Sequence, residues 1–394
     1  MPPKKHSWLN GVILWSIISA AFIGPGTVTT AVKAGSQFRL GLLWAVVFST
    51  AACIVLQEMA ARITIASGKN FGQTIAFKFG KKYGLILQYI TGGVVIAGCA
   101  AYEAGNILGA VSGLRLLTGV SLPLLTLFIT TAAFLMLWFG RSSRLSSIMI
   151  TLVLLMGIGF FIMAVAQPVT IVELTQSMLP SVPAGSELLI IGLIGTTIVP
   201  YNLFLGSGIS HGQSIRTMRT GLAVSVTLGG LVTATILIAG TAVNQFSSFA
   251  DLAASFRMHG SSYGAGALAL GLFAAGFSST VTAPYAAAVI AETVFDIKNK
   301  NTLRLFWILV LLTGFVFGMT DVRPVPVILA VQSLNGFILP LLVIILILVV
   351  NDVRIVGAEH RPGRWYNALL WLVFAVVLII GLNNVYRAIV QAWG

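Results

Sequence analysis

The sequence predicts an all-α integral membrane protein: two five-helix halves related as an inverted repeat, then one helix outside the repeat. Three observations lead there. The 394-residue chain is 57% hydrophobic and only 8% charged, where a soluble protein carries roughly a quarter charged residues. Eleven apolar stretches can be read along it, each approaching the roughly 20 residues that cross a bilayer. Two of them, half a chain apart, are interrupted by proline at mid-stretch, and an odd helix number per half sets the halves in opposite orientations.

The elements follow in order. The first stretch, 11–34, is broken by Gly24-Pro25-Gly26-Thr27, which frees backbone groups that hydrocarbon cannot satisfy. Stretches 40–66, 83–111, 121–139 and 144–167 complete the first half, over about 8–167. The sixth, 187–210, is broken at Val199-Pro200-Tyr201-Asn202 and opens the second half. Stretches 217–243, 264–294, 302–319 and 324–350 complete that half at about 350, and 365–390 is the extra helix. The whole chain, 1–394, reads as one membrane domain with no room for a soluble one. Matched broken helices mark the substrate site of a secondary transporter; a pair of plain proline kinks is the duller alternative.

Most spans are joined by short polar links. The longer ones are 168–186, with Pro168, Pro180 and Pro183, and 244–263. In the latter, Phe246, Phe249, Leu252 and Phe256 suggest a surface amphipathic helix. The basic stretch 69–82, with Phe71, Ile75 and Phe77 interspersed, is expected to lie on the inner membrane surface.

The formal charge of +13 reports topology. With the N-terminus cytoplasmic and the C-terminus external, all Lys and Arg except Lys33, Arg39, Arg115, Arg257, Arg323 and Arg387 fall on the inner side, as the positive-inside rule requires. Membrane lipids are therefore the expected partners, with no nucleic acid and no obligate protein partner. Cys53 and Cys99 lie inside apolar stretches and give no disulfide framework. His6, His211, His259 and His360 fall in terminal or link segments, so no histidine metal cluster is expected. No phosphate-binding loop or nucleophile motif is present, which argues against a pump or an enzyme.

Several segments together resemble the NRAMP divalent-metal transporters, a family with the LeuT-type fold. Leu56-Gln57-Glu58-Met59-Ala60-Ala61-Arg62 followed by Ser67-Gly68-Lys69 resembles the family's second-helix segment, and Tyr102-Glu103 its third-helix acidic position. Pro200, Asn202-Leu203-Phe204-Leu205 and Ser207 match the sixth-helix motif. Phe277-Ser278-Ser279-Thr280 and Gln332-Ser333-Leu334-Asn335-Gly336 match the eighth and tenth helices. The resemblance covers most of the chain and implies a multi-pass transporter of the bacterial inner membrane. The departures fall at the metal site. Gly24 and Thr27 stand where the family has its metal-binding Asp and Asn, and Val199 stands where it has Met. Thr196 aligns with its carbonyl ligand, and Tyr201 and Gly206 with its two histidines. No metal ligands can be carried over.

The expected substrate site is then Gly24, Gly26, Thr27, Thr196, Thr197, Val199, Tyr201, Asn202, Gln332 and Asn335. It is rich in hydroxyls and set at two helix N-termini, each carrying about half a positive charge. A dication without one negative ligand faces a heavy desolvation cost. The expectation is therefore a small anion, bicarbonate foremost, carried by alternating access. The alternatives are a divalent-cation carrier, for Mg²⁺ or Mn²⁺, with a reorganised site, and a non-transporting sensor or scaffold. No cofactor is expected beyond a coupling ion. Glu103 is the candidate proton carrier, since carboxylates inside a membrane are costly and usually functional. Ser278, Ser279 and Thr280 are the candidate sodium ligands, although such hydroxyls often bond to their own helix. Glu58 and Arg62, at i,i+4 spacing, are expected to pair.

Overall fold

Each of the eleven apolar stretches is occupied by helix in the computed structural model, which describes residues 8–80, 82–140, 142–244, 246–259 and 262–393. The first half comprises α1 (Trp8–Phe22), α2 (Pro25–Phe38), α3 (Leu43–Ser67), α4 (Phe71–Phe79), α5 (Tyr83–Thr118), α6 (Leu122–Phe139) and α7 (Ser142–Val165). A short helix, α8 (Ile171–Gln176), interrupts the 168–186 link. The second half comprises α9 (Glu187–Thr197), α10 (Pro200–Ile209), α11 (Ile215–Gly240), α12 (Phe249–His259), α13 (Ser262–Val294), α14 (Lys300–Gly318) and α15 (Pro324–Val350). The chain ends in α16 (Val353–Val356) and α17 (Arg364–Trp393). Among the described residues, seven helices are long and apolar enough to cross a bilayer, and two bent pairs bring that number to nine.

Both expected breaks are present. Gly24 is extended (φ −118°, ψ −174°), Pro25 opens α2 at a position that needs no N–H, and the two axes differ by 62°. Val199 is extended (φ −82°, ψ 129°), and Pro200 opens α10 in the same way. Proline serves at a helix start because the first N–H has no intrahelical partner there.

A third bend, of 64° between Ile338–Val350 and Val353–His360, was not expected. Asp352 organises it. Its carboxylate accepts from the Arg354 backbone at 3.0 Å and pairs with Arg354 at 2.7 Å and Lys78 at 2.8 Å. The Arg354 guanidinium, then Lys78, holds this carboxyl well below the usual carboxylate range. A depressed carboxylate contributes stability above its unfolded value, about 3.9, and loses that contribution as pH falls through the folded value. The melting-temperature gap between wild type and Asp352→Asn is therefore expected to be widest at neutral pH and to close below about pH 3.9. A gap that widens on acidification overturns this assignment.

Packing between the helices depends on small residues. Lipid is as apolar as leucine, so helix association in a membrane relies on close contact rather than on water exclusion. At the α5–α13 crossing, a Cβ on Gly113 would stand 2.4 Å from the Phe273 backbone nitrogen. One on Gly276 would stand 2.3 Å from that of Ala110. Between α2 and α11, a Cβ on Gly35 would meet the Leu237 carbonyl at 2.1 Å. Gly109 faces Pro25, whose ring carbon Cγ lies 2.2 Å from the same hypothetical Cβ, so α5 makes room for the first break. The periphery inverts the pattern of a soluble protein: Leu124, Phe128, Ile158, Phe161 and Leu231 are exposed, ready to face acyl chains.

Two of the helices in link segments, α12 and α4, bear on the sequence expectations. α12 forms where an amphipathic helix was expected, and it buries Phe249 and Leu252. α4 departs from expectation. It does not simply lie on a membrane surface, because Phe71 and Ile75 are fully buried and Phe71 packs on Phe204 with ring centroids 5.3 Å apart. Only Phe77 of the three apolar residues points outward. An Asn70/Gln73 capping box anchors its start.

Candidate functional site

The first break leaves the last carbonyls of α1 without intrahelical donors, as every helix C-terminus does. Side chains close that deficit. Thr27 Oγ1 donates to the Phe22 carbonyl, Tyr201 Oη donates to the Ala21 carbonyl at 2.8 Å, and Asn202 Nδ2 reaches the Ile18 carbonyl at a long 3.5 Å. Tyr201 of the second broken helix thus caps the first, Asn202 contacts it one turn further in, and all three side chains are buried. The hydroxyls of Thr196 and Thr197 both donate to the Leu193 carbonyl, at 3.1 and 3.0 Å, and Thr197 also accepts from Ser49 at 3.1 Å. Val199 is buried as the residue preceding α10.

This arrangement corrects the reading of these residues as donors to an anion. Thr27 and Tyr201 donate to the Phe22 and Ala21 carbonyls at the break, where an unpaired carbonyl is costly, while Thr196 and Thr197 bond back to Leu193 within their own helix.

On the other side of the first break, two helices, α13 and α5, converge on Gly24. The Ser279 hydroxyl of α13 lies 2.7 Å, and Asn106 Oδ1 of α5 lies 3.7 Å, from where a Cβ on Gly24 would sit. Behind Asn106 stands Glu103, fully buried, whose Oε2 accepts from Asn106 Nδ2 at 3.2 Å while Oε1 has no partner. Glu103 is therefore one amide removed from the break. Asn202 Oδ1 and the hydroxyls of Ser279 and Thr280 are likewise buried without partners, whereas Ser278 donates to its own helix at Ala275.

Gly26 is covered by Gln332 of α15, whose Nε2 occupies the space a Cβ would take, at 1.7 Å. Gln332 Oε1 accepts from Tyr102 Oη at 3.3 Å, and the Tyr102 ring meets Tyr201 edge-on at 5.9 Å. The side chain of Asn335, the other α15 candidate, lies outside the described residues. Gln332 also lines a 210 Å³ cavity together with Thr30, Lys33, Gln37, Gly185 and Leu329, so the site borders a cavity between α2, α9 and α15.

The opposite side is shut. Trp15 of α1 donates to Gln213 Oε1 at 3.1 Å, and Ser207 of α10 accepts from the Phe71 backbone while bonding Thr64, each at 2.7 Å. Nearer that end, Glu58 pairs with Arg62 as its i,i+4 spacing suggested, and adds Arg219 of α11 at 2.9 Å. Among the described residues no group of three His, Cys, Asp or Glu side chains is placed to hold a metal.

Asn106 and Gln57 were not singled out from sequence as site residues. Asn106 carried a signal in its i,i+3 spacing from Glu103, while Gln57 was legible only as part of the second-helix segment.

A family profile described as "Nramp: Natural resistance-associated macrophage protein-like" matches residues 16–387. A protein of Klebsiella pneumoniae (strain 342) named "Divalent metal cation transporter MntH" is 26% identical over 385 residues, covering 93% of this chain and 91% of that protein. The crystal structure of a mutant of the Eremococcus coleocola manganese transporter superposes with a TM-score of 0.83 at 20% identity, covering 100% of this chain and 90% of that one. The structure of MhsT in complex with L-phenylalanine gives 0.63 at 16% identity, covering 96% and 98%. These likenesses confirm the LeuT-type architecture. They also overturn the expectation of a bicarbonate or other anion carrier, since the sequence relatives are named divalent metal cation transporters.

Proposed function

The chain belongs to the natural resistance-associated macrophage protein-like (Nramp) family, and on that premise we propose that it carries divalent metal cations, Mn²⁺ foremost, through a site reorganised around Glu103. The observation that carries the reading is which polar atoms at the breaks lack partners. Glu103 Oε1 and Asn202 Oδ1 are buried and unpaired, and both are oxygens that accept. Ser279 adds an unpaired hydroxyl against Gly24. Unfilled oxygen lone pairs suit a hard cation, and a divalent ion of this kind takes oxygen ligands and keeps some of its waters.

The missing negative charge was the main objection to a cation. Glu103 answers it from a different helix: the position-24 carboxylate is absent, and the space it would fill is lined by Ser279 and by the amide that Glu103 holds. A bound dication in turn favours the ionised carboxylate, because the ion is the largest local charge in such a site. When the cation leaves, Glu103 is the group that takes a proton, which couples transport to H⁺. Ser279 and Thr280 are the residues through which Na⁺ would act instead.

Alternating access follows from the hinges. By the distribution of Lys and Arg, the cavity over Gln332 opens outward, and the Trp15–Gln213 contact closes the cytoplasmic side. The halves 8–167 and 187–350 then exchange accessibility around the breaks, with 365–390 outside the repeat. In proteoliposomes, purified protein is expected to take up Mn²⁺ in a saturable way, and Mn²⁺ is expected to raise its melting temperature. Folded protein that shows neither effect rules the reading out.

A further inference from the structure

Another unpaired group lies on the closed side of the second break. Gln57 of α3 is 2% exposed, and its Oε1 has no partner. It reaches over Gly206 of α10: a Cβ there would stand 2.3 Å from Gln57 Oε1 and 3.4 Å from Trp15 Cζ3. Gly206 is one helical turn beyond Asn202, so both face the same seam between α1, α3 and α10. Asn202 is fully buried, and its Nδ2 is turned to the Ile18 carbonyl, which leaves its Oδ1 as the unsatisfied atom. Two acceptor-only oxygens are therefore buried along one seam, with a glycine beside them in place of a larger residue.

Beyond them the path is closed by the Ser207 contacts to Thr64 and Phe71 and by the Trp15–Gln213 bond. We infer that Gln57, with Asn202 shared from the central site, forms an inner relay station for the transported divalent cation, occupied after it leaves Glu103 and Ser279 and before the cytoplasmic side opens. The inference rests on the cation-transport reading above. Neutral carboxamide oxygens suit a transit site, because conduction needs binding that is favourable enough to enter and weak enough to leave. Because Gly206 has no side chain, Gln57 Oε1 itself sits in the space a Cβ would take, which sets the α3 amide oxygen against the turn of α10 that carries Asn202. Trp15 forms part of the same wall, so a cation here lies against the residue whose hydrogen bond latches α1.

The test compares Mn²⁺ uptake and Mn²⁺-dependent thermal stabilisation of wild type, Gln57→Met and Gln57→Glu in proteoliposomes and detergent. Gln57→Met, an apolar residue of similar length, is expected to lower kcat by about tenfold while keeping the stabilisation that the Gly24 cluster provides. Gln57→Glu keeps an oxygen in place and adds charge, so KM and kcat are both expected to fall as the ion is held longer. Wild-type velocity in Gln57→Met overturns the relay. So does a Gln57→Met protein that loses stabilisation along with flux, because Gln57 would then belong to the central site. A Gln57→Glu protein as slow as Gln57→Met with unchanged KM overturns it too, since a purely structural amide would behave that way. Wild-type protein without Mn²⁺ flux removes the transport reading itself, a result separate from all three.

Discussion

Glu103→Gln is expected to lower Mn²⁺ uptake by about two orders of magnitude and to abolish Mn²⁺-dependent thermal stabilisation, while the protein stays folded. The substitution keeps shape and still offers an oxygen to Asn106 Nδ2, so the α5 environment is retained. What it removes is the one carboxylate, among the described residues, in the polar cluster at the first break. Losing one member of a buried charge pair costs about 2–5 kcal/mol, and each 1.4 kcal/mol is a factor of ten in affinity. Uptake kinetics and melting curves on the same preparation check it. Unchanged Mn²⁺ affinity in Glu103→Gln with lost dependence on a proton gradient would assign Glu103 to proton transfer alone and return the cation to the neutral oxygens.

Gly276→Leu, and separately Gly113→Leu, are expected to destabilise the fold by about 3 kcal/mol or more and to abolish monodisperse expression. At this crossing the atoms that a side chain would strike are backbone nitrogens, 2.3 and 2.4 Å from the hypothetical Cβ positions. A flexible side chain can rotate away from such a clash; a helix backbone moves only with its whole helix. Gly98 of the same helix α5 is the internal control. A Cβ there meets only the Ile338 Cδ1 atom at 3.8 Å, so Gly98→Ala is expected to be close to neutral. Size-exclusion profiles and thermal melts separate the three variants. Equal behaviour of Gly276→Leu and Gly98→Ala would mean that the α5–α13 contact does not hold the bundle together.

Much of this protein was legible before its structure. The two proline breaks could be placed to the residue, since an N–H-deficient residue flanked by glycine or an extended residue has few ways to continue an apolar helix. The Glu58–Arg62 pair was visible from spacing alone. The substrate was misread because hydroxyls at a break can donate either to a ligand or to the break's own carbonyls. Linear order does not say which: Tyr201 and Ala21 are 180 positions apart. The bend at Asp352 was missed for a related reason, since its pairing with Lys78 spans 274 positions.

The chain by itself determined the medium, the membrane-length helices, their two proline interruptions and the family. Each of these follows from local composition, from proline and glycine backbone chemistry, or from short residue patterns. Only the tertiary structure decided the chemistry of the site. Whether a buried polar atom is spent or available depends on what other helices bring to it. Here the helices bring donors to the α1 carbonyls and leave the oxygens of Glu103, Asn202 and Gln57 unpaired.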